Sequence, residues 1–140
     1  MHSANLVEAN ISLANLSGAY LNRAYLFHAY LNKADLSKVD FTRANLIGAD
    51  LSGTDLSKAS LCDALLNGAN MNEATMRATN CTGANLQTAQ LFGAVLTHSV
   101  FINADLSYCP SSGQLPDIVG MSHLPILCET ASIAVAWHCS

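Results

Sequence analysis

The chain has 140 residues, enough for one domain with a sizeable core; 51% are hydrophobic, but only 6% are aromatic and 11% charged. Small and aliphatic side chains must therefore build the interior. Ten acids against six bases give a net charge of −4, which excludes a globally basic nucleic-acid surface, and the apolar run at 133–137 is far too short to span a bilayer.

In chain order, residues 1–3 form a short leader, 4–108 an unbroken repeat of period five, and 109–140 a segment outside that repeat. Taking the repeated leucine as the centre of each unit, centres fall at every fifth position from Leu6 to Leu106, and 15 of the 21 are Leu. The others are Ile11, Phe41, Met71, Met76, Cys81 and Phe101. Two places before each centre stands a small residue, Ala in 17 units and Val39, Thr54, Thr79 or Ser99 in the rest. The slot between them is Asn or Asp in 12 units.

A period of five suits neither a helix, where successive centres would scatter around the axis, nor a straight strand, where they would alternate between faces. It keeps every centre inward only if the chain turns one corner per unit. Six of the eight glycines, among them Gly18, Gly48 and Gly53, stand two places after a centre, where a type II turn needs positive φ. The Asn and Asp side chains fit as partners for nearby backbone. The pattern predicts a solenoid whose coils contact mainly their neighbours.

Units such as Ala44-Asn45-Leu46-Ile47-Gly48 and Ala104-Asp105-Leu106-Ser107-Tyr108 resemble those of the pentapeptide repeat proteins. The resemblance implies an all-β fold, a right-handed quadrilateral β-helix of about five coils with four units in each. A period of twenty places Cys81 in line with bulky Phe101, a volume exchange, with Met71 and Met76 as adaptable fillers. It also stacks like charges, Arg23 on Arg43 and Lys38 on Lys58.

The end segment, 109–140, reads as a C-terminal cap, since solenoid ends expose apolar side chains and unpaired backbone. Helix is expected over about 126–137, with Pro125 in its first turn. The first coil has almost nothing before it in this sequence, and a homodimer through that end is one expectation. His123, Cys128, His138 and Cys139 lack the ligand spacing of a structural zinc site, so no metal and no cofactor are expected. Five cysteines without CxxC spacing in a chain with no evident export signal read as mostly free thiols of a cytoplasmic protein; a Cys109–Cys128 or Cys109–Cys139 disulfide is the candidate exception.

Catalysis finds no nucleophile–base pair and no phosphate loop, and Asp35, Asp40, Asp50 and Asp55 simply fill the repeat's polar slot. Its sequons, such as Asn10-Ile11-Ser12, are likewise the repeat's own wording. The informative departure is Tyr20, Tyr25 and Tyr30, which take that slot three times running. With Phe27 and Ile47, and Val7 beside them, they form the candidate interaction face for a protein partner. The sequence thus points to a non-enzymatic structural or interaction protein with direct nucleic-acid binding not expected. The alternative implied by the resemblance, a DNA-mimicking regulator of a type II topoisomerase, DNA gyrase, asks for a strongly acidic face. Residues 4–108 carry eight acids and six bases.

Overall fold

The computed structural model describes residues 3–109. Parallel bridges join each slot residue to the one twenty positions on, from Asn5 to Tyr25 to Asn45 and onward to Asp105. Four such series run side by side and define four faces. Face 1 carries the series from Asn5, face 2 that from Asn10, face 3 that from Asn15 and face 4 that from Tyr20. The chain is therefore a quadrilateral β-helix, with coil 1 at 4–23, coil 2 at 24–43, coil 3 at 44–63 and so on. Each face contributes one bridging residue per coil, and no helix occurs among the described residues. The proposed cap, with Cys128, His123, His138 and Cys139, lies outside them.

The bonding on each face is uniform. Leu26 N–H donates to the Asn45 carbonyl at 2.7 Å, His28 N–H to Ile47 at 3.0 Å, and Tyr25 N–H back to Ala4 at 2.9 Å. Each corner is then closed by a bond such as Ala29 N–H to the Leu26 carbonyl at 3.0 Å. The third residue of that turn has positive φ in every unit, from Glu8 at 56° to Tyr108 at 60°, as a type II turn requires. Only six of these corner residues are glycine; the rest, Leu13 included, adopt the left-handed region with a side chain attached. That costs about 1 kcal/mol each relative to glycine, and the ladders on both sides hold them there.

The polar slot has a specific task. Each of its Asn and Asp side chains accepts the N–H two residues on, as Asn45 Oδ1 does from Ile47 at 3.2 Å and Asp50 Oδ1 from Ser52 at 3.0 Å. That amide sits at the corner and joins no ladder, so the slot residue supplies its partner.

Small residues and centres point inward. In coil 3, Ala44, Leu46, Ala49, Leu51, Leu56 and Leu61 are wholly buried. Thr54 and Thr79 are buried with them, and their hydroxyls donate to the Leu51 and Leu56 carbonyls, each at 2.7 Å. Ser99 does the same to Met76. No buried side-chain polar atom among the described residues lacks a partner, so the few polar side chains inside do not bear the penalty of unsatisfied groups. The first coil differs: Leu6, Ile11, Leu16 and Leu21 are only partly buried.

Candidate functional site

The repeat directs its slot residue outward, and Tyr20, Tyr25 and Tyr30 follow that rule. They are 85%, 53% and 53% exposed. They lie on faces 4, 1 and 2 in succession, so they wrap around the rod rather than forming a ladder along it. Their phenols cannot serve the corner amide two residues on, and the N–H groups of Asn22, Phe27 and Asn32 have no protein acceptor among the described residues. The tyrosines thus forgo a bond worth about 1 kcal/mol that Asn would provide.

Face 1 brings Tyr25, Phe27 and Ile47 together as a patch, with Val7 one coil below Phe27. The coil spacing is set by the bonds from Glu8 N–H to Phe27 at 2.9 Å and from His28 N–H to Ile47 at 3.0 Å. Val7 and Phe27 are exposed, whereas Ile47 is half-buried and forms the floor of the patch. Tyr30 lies across one corner from it and Tyr20 across the other, beyond Arg23.

Sequence reasoning passed over His28, which completes this ridge. Its ring meets that of Phe27 edge to face, with centroids 4.1 Å apart at 69°. Its Nδ1 lies 3.3 Å from the Gly48 carbonyl oxygen, a contact that calls for the Nδ1–H tautomer. A Cβ on Gly48 would stand 2.5 Å from the imidazole. Gly48 therefore serves twice, in its φ of 64° and in the room it leaves. The signal was present in the period: a glycine stands twenty residues after the histidine.

In coil 2 the charges are arranged by height, although elsewhere Glu8, Asp63 and Glu73 also take corners. Arg23, Lys33, Lys38, Arg43 and Lys58 all occupy corners, with φ of 58–60°, and all are exposed. Asp35, Asp40 and Asp50 lie flat in slots, half-buried, each tied to a corner amide. Hydrogen bonds from the Ser37 hydroxyl and backbone hold the Asp35 carboxyl below its ordinary range, and Ser107 does the same for Asp105. The expected stacking of Arg23 on Arg43 is relieved one coil further on, where Arg43 Nε meets Asp63 Oδ2 at 3.4 Å.

Of the cysteines, Cys81 is an inward centre whose thiol is pushed up by burial. The buried Cys109 thiol donates to the Leu86 carbonyl at 3.2 Å and is pushed up to about 11, mainly by burial. The second member of the Cys109–Cys128 pair is outside the described residues. Among those residues no three His, Cys, Asp or Glu side chains are grouped as metal ligands.

Overlapping segments from residue 4 to residue 109 match the pentapeptide repeats family, in 8 copies. The chain is a pentapeptide repeat protein. A pentapeptide repeat protein from the thylakoid lumen of Arabidopsis thaliana superposes with a TM-score of 0.66 at 26% identity, over 75% of this chain and 70% of its own. Rfr23, a pentapeptide repeat protein from the cyanobacterium Cyanothece 51142, gives 0.62 at 29% identity, over 76% of this chain and 82% of its own. QnrB1, a plasmid-mediated fluoroquinolone resistance protein, aligns over 76% of this chain and 69% of its own at 20% identity, with a TM-score of 0.43 too low to bear on function. No curated protein matches the chain in sequence.

Proposed function

We propose that this pentapeptide repeat protein is a non-enzymatic interaction module, a rod that recognises a protein partner through the aromatic ridge of coil 2. The observation that carries this reading is the exposure of Tyr25 beside the braced pair Phe27 and His28. Three neighbouring rings stand in water, and His28 is braced by Phe27 and Gly48. Aromatic side chains held in place before binding lose little entropy when a partner covers them, which is why they dominate binding hot spots.

The packed column of Ala and Leu inside the coils supports the non-enzymatic part of the proposal, because the side chains that fill the axis are apolar and chemically inert. Cys62 and Cys81 as thiols fit a reducing compartment, and we place the protein in the cytoplasm. A second copy set against coil 1 would cover its partly buried leucines, giving a homodimer. Sedimentation showing a monomer at tens of micromolar would remove that arrangement. A gyrase-directed role draws less support, since the protruding charges of coil 2 are cationic rather than acidic, and unchanged supercoiling at micromolar protein would close it.

The test of the main proposal is capture from native lysate with the wild-type rod and with Tyr25→Ser/Phe27→Ser. We expect the double variant to lose specific proteins while keeping the wild-type circular dichroism spectrum. An unchanged bound set would sink the aromatic ridge as the recognition face.

A further inference from the structure

We propose that face 4 across coils 1–3, bordered by Lys38 and Lys58 at one corner and by Arg23 and Arg43 at the other, docks an extended acidic polypeptide segment. The inference takes from the proposed function only that the rod binds proteins, and it adds a second surface and the chemistry of what lies there.

Five of the six Lys and Arg residues of the chain fall between 23 and 58, and each of the five stands at a corner. A corner side chain radiates from the edge of the square, whereas a slot side chain lies over a face. In coil 2, face 4 runs from Lys38 through Asp40 and Thr42 to Arg43, so a cation stands at each edge. Lys58 repeats one edge a coil above, and Arg23 repeats the other a coil below. Along an edge the cations are separated by one coil, about 4.8 Å. Across the face the surface between them is low and polar: Thr42 Oγ1 and Ser60 Oγ bond at 3.0 Å, and Asp40 is turned down to the Thr42 N–H at 2.9 Å.

The result is local charge opposite to the net charge. The chain is acidic overall, but on this face Asp40 is recessed and tied and the four cations protrude. The one protruding carboxylate, Asp63 at the corner above Arg43, is engaged by that arginine. A partner approaching face 4 meets four cations before it meets Asp40. Arg43 shares its guanidinium with Asp63, an exposed pair of little intrinsic strength; no ion pair engages Arg23, Lys38 or Lys58 among the described residues. Tyr20, the most exposed tyrosine, stands on the same face beside Arg23 and adds the aromatic–arginine combination that binding hot spots favour.

Four cations, one of them shared, favour an acidic peptide over nucleic acid. Phosphate-backbone binding commonly draws on about 6–10 contacts, more than this face offers. A strand of acidic side chains, which repeat every second residue on one side, meets the two rows with a few carboxylates.

The experiment is fluorescence anisotropy with a labelled decaglutamate peptide on the full chain, at low salt and again at about 0.15 M, where charges beyond roughly 8 Å are screened. The informative variant is Arg23→Gly/Lys38→Gly/Arg43→Gly/Lys58→Gly, because these corners suit glycine and the substitutions relieve left-handed strain instead of unfolding the rod. We expect decaglutamate to bind, and the fourfold variant to bind at least about tenfold more weakly. Lys33→Gly/Arg77→Gln, off this face, should change affinity less than about twofold. No binding by the wild type at millimolar peptide, or equal loss in both variants, overturns the proposal, as does tighter binding of a labelled oligothymidylate. Tyr25→Ser/Phe27→Ser leaves the four cations in place, so the two readings fail separately. Unchanged lysate capture with decaglutamate still bound removes the aromatic reading alone. Lost capture with no decaglutamate binding by the wild type removes this inference alone.

Discussion

Coils 2 and 3 share most of their interior, differing inside only where Ala34, Val39 and Phe41 give way to Thr54, Ala59 and Leu61, and have different corners. Both bury Ala and Leu around a continuous axis, with Phe41 filling one position of coil 2. At the corners coil 2 carries His28, Lys33, Lys38 and Arg43, and coil 3 carries Gly48, Gly53, Lys58 and Asp63, all in the same left-handed conformation. The backbone would prefer glycine at each. The difference teaches that the ladder fixes corner geometry strongly enough to leave the corner residue free for other uses. The structural and functional grammars of the repeat are thereby separated, small residue and centre for the fold, slot and corner for the surface.

That separation fails first if the interior is changed. Leu46→Ala in coil 3 removes a fully buried side chain and should cost about 2–5 kcal/mol in urea unfolding. Leu6→Ala in partly exposed coil 1 should cost under about half as much, because less transfer energy and a smaller cavity are at stake. Equal losses at the two sites would mean that coil 1 is covered in solution, and a homodimer through that end is the arrangement that would do so.

Next in size is the corner itself. Gly48→Ala pushes a Cβ into the His28 imidazole and strains φ at once, so a loss of about 1–2 kcal/mol is expected. In a His28→Ala background the collision disappears and only the φ term, about 1 kcal/mol, should remain. Lys33→Gly should instead stabilise by about 0.5–1 kcal/mol. Additive effects of the Gly48 and His28 changes would show that the imidazole does not rest on Gly48.

These two predictions mark what the sequence could and could not show. Period five, a small residue and centre two apart, and glycine two places later were enough to place the corner, and the twenty-residue register then stacked Phe27 between Val7 and Ile47. The aromatic ridge was legible because Tyr25 broke a slot pattern that had a known partner. His28 was not, since its role depends on an empty space one coil away and on a ring contact with its neighbour. The height difference between recessed Asp40 and protruding Arg43 was hidden in part: the register places Arg43 at a corner, but only the bond from the Thr42 N–H shows Asp40 turned down. The concentration of Arg23, Lys33, Lys38 and Arg43 in one stretch was legible despite a net charge of −4; the recessed Asp40 between the two cationic edges was not.

A smaller contrast separates slots that serve the corner amide from those that do not. Asn45→Ala removes the acceptor for Ile47 N–H and should cost about 1 kcal/mol. Tyr25→Asn, one coil below on the same face, supplies an acceptor to Phe27 N–H and should gain up to about 1 kcal/mol while removing a ring from the ridge. The pair is best measured together by urea titration, since both changes act on the same face. If Tyr25→Asn destabilises as much as Asn45→Ala, packing of the tyrosine ring outweighs the missing amide bond.

The smallest effect is electrostatic and has a definite sign. The Asp35 and Asp105 carboxyls are held below their ordinary range, first by a side-chain hydrogen bond and then by a backbone one, from Ser37 and Ser107 respectively. A group whose folded pKa is depressed binds its proton more weakly in the native state than in the unfolded chain. Its contribution is therefore complete above the unfolded value of about 3.9 and is lost as pH falls through the lower folded value. Stability should be flat in pH around these two groups near neutrality and decline below about pH 4. Replacing both hydroxyl donors, Ser37→Ala and Ser107→Ala, weakens the bonds that favour the charged form, so the decline from these groups should become shallower. Thermal melts of the double variant and the parent at pH 7 and pH 3 test this. An identical difference between the two pH values in both proteins would show that the serine bonds do not favour the ionised form.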